Sequence, residues 1–89
     1  MTEHVLKTLP QYWDAVERGE KTFEVRRDDR GFQRGDTVVL VRLNSIGLET
    51  SARLRFTIGW ILTGGQFGLE PGYVVFSLHP APEAPDAED

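Results

Sequence analysis

The feature that most constrains this chain is the stretch Gly19-Glu20-Lys21-Thr22-Phe23-Glu24-Val25-Arg26. It begins where a helix should stop and runs directly into a strand with two unlike faces. Side chains alternate along a strand, so Phe23 and Val25 point one way while Thr22, Glu24 and Arg26 point the other. A lysine, a carboxylate and a guanidinium within six residues make a compact polar set. The ordinary reading is a solvated strand face, with Glu24 and Arg26 paired for under ~1 kcal/mol. The functional reading needs the set to face a cleft, where Lys21 and Arg26 hold a phosphate or carboxylate. Glu24 would then accept bonds from a base edge or act as a general base.

A chain of 89 residues without repeats implies one domain, with ~60% of its unfolded surface buried and a correspondingly thin core. It has no cysteine, so no disulfide or thiolate-metal framework is expected. No run approaches ~18 apolar residues and the N-terminus lacks a signal pattern, so a cytoplasmic protein without membrane contact is expected. The net charge of −4 is uneven: Glu83, Asp86, Glu88 and Asp89 crowd the last ten residues, while residues 1–79 hold ten acids and ten bases. Lys21, Arg26, Arg27, Arg30 and Arg34 fall within fourteen residues. Local basic patches decide phosphate contacts, so the overall acidity does not exclude a nucleic-acid partner.

Residues 3–8 read as a first strand. Thr8-Leu9-Pro10-Gln11 predicts a helix start, with Thr8 as cap, Gln11 at the capping-box position and Pro10 in the first turn. Leu9, Tyr12, Trp13 and Val16 form one apolar stripe, and Gly19 ends the helix. A strand at 22–27 is followed by a loop through Asp28, Asp29, Arg30, Gly31, Phe32 and Gly35-Asp36. Residues 37–43 read as a central strand, 44–50 as a turn and 51–58 as a strand with one wet face. Gly59 predicts a bulge before 60–62 resume. A glycine-rich connection (63–72) leads to a last strand at 73–78. The domain is thus expected over 1–79, with 80–89 a disordered Pro/Ala/acidic tail.

Arg27, Arg30 and Arg34 could bind phosphate with Phe32 as a stacking face, or pair with Asp28, Asp29 and Asp36 over an anchoring Phe32. The stretch Gly64-Gly65-Gln66-Phe67-Gly68-Leu69-Glu70-Pro71-Gly72 lacks the Gly-Lys-Ser/Thr ending of a nucleotide-binding P-loop. It is either a long connection or a lid placing Phe67 or Gln66 over a site. His4 and His79 share no metal-ligand spacing, so neither a metal nor any other cofactor is expected. Trp13 reads as core.

Gly19-x-Lys21-x-x-Glu24-x-Arg26 resembles the G-x-K-x-x-E-x-R signature of the ASCH superfamily, whose members have the PUA-like fold. His4-x-Leu6-Lys7, Asp29-Arg30, Phe32, Gly35-Asp36 and the stretch from Gly64 to Val75 resemble one small branch of stand-alone bacterial and phage proteins of unknown function. The resemblance covers about residues 4–78. It implies an α+β domain, a small β pseudo-barrel of five or six strands with one main helix after the first strand. It also implies a cleft lined by Lys21, Glu24 and Arg26, with RNA or a modified nucleoside as ligand. A related branch deacylates N4-acetylcytidine and is similar at Gly19, Lys21, Thr22 and Arg26. Its threonine nucleophile falls at Glu24 here, and its catalytic glutamate lies in a segment this chain lacks, leaving Glu70 as the stand-in. Other relatives are proposed to cleave RNA, which would engage Lys21, Arg26 and Tyr73.

The expectation is therefore an RNA- or nucleotide-binding module. Lys21, Arg26 and Arg30 would meet phosphate, Glu24 a base or ribose, and Phe32 or Phe67 would stack, with Tyr73 beside them. The alternatives are a hydrolase acting on a modified nucleoside or RNA, with Lys21 and Glu24 catalytic, and a phage-related protein–protein module. The acidic tail is further expected to fold back over the arginine-rich loop in place of phosphate.

Overall fold

The computed structural model describes residues 1–81. Strands β1 (Glu3–Thr8), β2 (Phe23–Arg27), β3 (Thr37–Leu43), β4 (Glu49–Thr63) and β5 (Tyr73–Pro80) form one sheet in the order β1-β3-β4-β5-β2. Helix α1 (Pro10–Glu17) joins β1 to β2. β1 runs parallel to β3, and every other pairing is antiparallel. The sheet curls into a half-barrel, so the fold is α+β and mostly β, as the pattern implied. Its open sides are the free edges of β1 and β2.

β3 is buried from Val38 through Val41, as its β-branched run requires of a strand paired on both sides. β4 alternates: Ala52, Leu54 and Phe56 pack on the core, while Ser51, Arg53 and Arg55 face solvent. The expected bulge is present as a register shift between Ile58 and Ile61. A Cβ at Gly59 would overlap the Ser77 and His79 side chains, and the Ser77 hydroxyl accepts the Trp60 N–H at 3.0 Å. The core gathers Leu6, Val38, Leu40, Ile58, Phe76 and Leu78 on the concave side, with Trp13 and Val16 of α1 laid over them.

α1 differs from expectation at its start. Leu9 occupies the cap position with no side-chain cap, because the chain is still extended at Thr8. The Thr8 hydroxyl instead donates to the Leu6 carbonyl at 3.2 Å, and Pro10 supplies the pre-set first turn. The apolar stripe also divides. Trp13 and Val16 are buried, whereas Leu9 and Tyr12 stay half-exposed. The Trp13 indole donates to the Leu40 carbonyl at 2.9 Å, and Arg42 holds Asp14 bidentately, at 2.8 and 3.0 Å. That hydrogen-bonded guanidinium keeps the Asp14 carboxyl below its ordinary pKa.

Two boundaries shift as well. β4 begins at Glu49, inside the expected turn, and β5 runs on to Pro80, which pairs with Phe56. The remaining tail, with its expected disorder and fold-back, lies outside the described residues.

Candidate functional site

The C-terminus of α1 sets the site. Gly19 adopts φ +82, a conformation that glycine takes at little cost. Its N–H bonds the Val16 carbonyl and the Glu20 N–H reaches back to Ala15, both at 3.0 Å. This is the paired bonding of a Schellman turn. The Lys21 N–H also bonds Ala15 at 3.0 Å, so the turn delivers Lys21 at a fixed place just before β2.

On β2, Glu24 pairs with Phe76 and Arg26 with Val74, both deeply buried residues of the concave face. Cross-strand partners share a face, so the charged side of β2 points inward while Phe23 and Val25 are half-exposed outside. The solvated-face reading of this strand is thereby overturned. Glu24 is 3% exposed. One of its oxygens accepts Lys21 Nζ at 2.6 Å and the other accepts Arg26 Nε at 2.8 Å. Lys21 also donates to the Phe23 carbonyl at 2.7 Å. Arg26 crosses to β1, where Nη2 meets the Lys7 carbonyl at 3.1 Å and the Thr8 hydroxyl at 3.3 Å.

The triad leaves specific donors unspent. Among the described residues Lys21 uses two of its three donors, and Arg26 Nη1 has no protein partner. The Lys21 side chain is 18% exposed and that of Arg26 24%. These free donors open on a cleft of about 690 Å³, within the usual range for small-ligand sites. β1 contributes Lys7 and Thr8 to its wall, the helix side Leu9 and Tyr12, and β5 Tyr73. All five residues of β2 line it, from both faces, so the cleft follows the free edge of that strand along its whole length. Four cations (Lys7, Lys21, Arg26, Arg27) and the single carboxylate of Glu24 line the cleft, and Lys7 is paired at 3.7 Å with Glu49 of β4 outside it. Lys21 Nζ lies 4.9 Å from the Phe23 ring centroid and 5.9 Å from that of Tyr12; the Arg27 guanidinium lies 5.4 Å from Tyr73.

The other sequence candidates lie elsewhere. Phe32 is 7% exposed, edge-on to His4 at 4.7 Å and tilted against Phe76 at 5.2 Å, so it anchors the loop and offers no stacking face. Arg30 donates to the Val5 carbonyl at 2.9 Å, on the edge of β1 outside the cleft. Phe67 is exposed at a loop tip with φ 53 and does not line the cleft. Glu70 is exposed, in a shallow depression with Leu69 and Tyr73. No hydrogen bond joins Lys21 to the Thr22 hydroxyl, so the lysine is not placed to activate it. Among the described residues no group of three metal-ligating side chains occurs, and no helix is long and apolar enough to cross a membrane.

Sequence reasoning missed Lys7 and Tyr12 as cleft residues, whereas Arg27, already a phosphate candidate, does line the cleft. Tyr12 was legible only as part of a helix stripe, and Lys7 reaches the cleft through the seam between two distant strands. No curated protein matches the chain. A family model described as a domain of unknown function (DUF3850) matches residues 3–78, and the chain belongs to that family.

Proposed function

We propose that the chain is a binding module for RNA or a nucleotide, taken into the cleft along β2. The observation that carries this reading is the inward-facing triad, in which a buried carboxylate fixes two cations whose remaining donors open on solvent. Those groups are donors only, so they fit an acceptor-rich ligand group such as a phosphate. Glu24 is covered and bonded through both oxygens. Its role is to hold Lys21 and Arg26 in place rather than to read a base. Tyr12, Phe23 and Tyr73 provide apolar surface beside the cations, the combination that suits an unstacked base next to its phosphate. The resemblance of Gly19-x-Lys21-x-x-Glu24-x-Arg26 to the ASCH signature supports the same reading as an analogy.

The test is titration of short single-stranded RNA and a set of modified nucleosides against wild type, Lys21→Ala and Glu24→Ala, with ligand masses recorded afterwards. Saturable binding that both substitutions weaken at least about tenfold, with ligand mass unchanged, supports a binding module. A mass change abolished by Lys21→Ala would replace it with an enzyme. No binding of any ligand would overturn the reading.

A further inference from the structure

The cleft is longer than a single nucleotide needs. It takes in every residue of β2, and at ~3.3 Å per residue Phe23 and Arg27 stand roughly 13 Å apart along the strand. Each end carries its own pairing of cation and aromatic ring. At the Phe23 end Lys21 lies 4.9 Å from Phe23 and 5.9 Å from Tyr12. At the Arg27 end the guanidinium lies 5.4 Å from Tyr73, its cross-strand partner. Between the two ends stands Arg26, with both Nη1 donors unspent.

We infer that the ligand is a single strand of two to four nucleotides lying along β2, with one base against Tyr12 and Phe23, another against Tyr73, and an intervening phosphate on Arg26. The inference rests on the nucleotide-binding reading above and adds the length and direction of the ligand. A stacked strand advances ~3.4 Å per nucleotide, so a fully stacked strand would need about five nucleotides to put a base at each end, and a strand with splayed bases needs the two to four inferred here. One base with its own phosphate fills one end and leaves the other empty. Apart from Lys7, which Glu49 of β4 pairs at 3.7 Å, three cations face one carboxylate, and this favours a ligand with repeated negative charge. An extended acidic peptide has the same overall form, and the free edge of β2 could pair with it. It lacks flat bases for the two aromatic ends, which favours the nucleic acid.

The experiment is calorimetric titration of the full chain at low salt with 5′-phosphorylated oligoadenylates of one to five nucleotides. An oligoglutamate of matching charge runs in parallel. Affinity is expected to rise at least about tenfold from one nucleotide to four, since each stacked base adds that order of gain, and to level off by five. Tyr73→Ala should shrink the ratio of four-nucleotide to one-nucleotide affinity, and Tyr73→Phe should restore it. Equal unfolding temperatures would show that both variants are folded. Affinity independent of length overturns the extended ligand while leaving nucleotide binding intact. Oligoglutamate binding as tightly as the four-nucleotide strand overturns it in favour of a peptide. Absence of binding at every length removes the underlying reading as well.

Discussion

Glu24, within β2, and Asp36, at the far end of the loop that leaves it, are buried to almost the same depth, 3% and 5% exposed. Asp36 is closed in. It accepts the backbone N–H groups of Thr2 at 3.3 Å and Gln33 at 3.1 Å, and His4 Nε2 lies at 2.9 Å, with the imidazole packed on Phe32. Burial pushes its carboxyl up, but the His4 contact and the two backbone donors outweigh that and hold its pKa below the ordinary value. Its backbone partners each have a single hydrogen to give. Glu24 is held instead by two long side chains that keep donors in reserve. The first arrangement ties the N-terminus to the β2–β3 loop; the second aims unspent charge at a cleft. What separates a structural carboxylate from one that builds a site is therefore the spare capacity of its partners.

The contrast is open to test, beginning with stability. Asp36→Ala removes the centre of a closed network and should cost about 3–5 kcal/mol in denaturant unfolding. Glu24→Ala leaves two cations that can turn toward water, and should cost about 1–2 kcal/mol. Equal losses would erase the distinction. Gly19→Ala forces a side chain into φ +82 and should cost about 1–2 kcal/mol, displacing Lys21 as it does so. A loss of ligand affinity larger than the loss of stability would sharpen the claim that this turn places the lysine.

The smallest effect concerns acid. Because the folded Asp36 pKa lies below its ordinary 3.8, its contribution is complete above that value and drains away as pH falls through the lower folded value. Unfolding free energy of wild type should therefore decline more steeply below about pH 4 than that of Asp36→Asn. Parallel curves would show that the closed network holds no linkage to protons.

Much of the fold was legible because local signals and tertiary packing agree. The β-branched run of β3, the glycine at the β4 bulge and the helix stop at Gly19 each needed only nearby residues. The inward face of β2 was not legible from alternation, which separates two faces without saying which one is covered. That was decided by register against β5, where Glu24 meets Phe76. The helix cap failed for a similar reason: Thr8 belongs to β1, and its hydroxyl is engaged there. Phe32 and Arg30 looked available because their loop is polar, yet the core claims the ring and the β1 edge claims the guanidinium.

The half-barrel leaves two strand edges, and such edges ordinarily invite another chain to pair with them. Alternation from the Thr2–Thr37 bond turns the carbonyls of Val5 and Lys7 outward, and the Leu78–Thr22 bond does the same for Phe23. Each of these three acceptors is capped by a cation: Arg30 on Val5, Arg26 on Lys7 and Lys21 on Phe23. Lys21 and Arg26 therefore also cover acceptors on both open edges, which a bare strand would present to another chain. Variants that remove them expose a row of acceptors along with an emptied cleft.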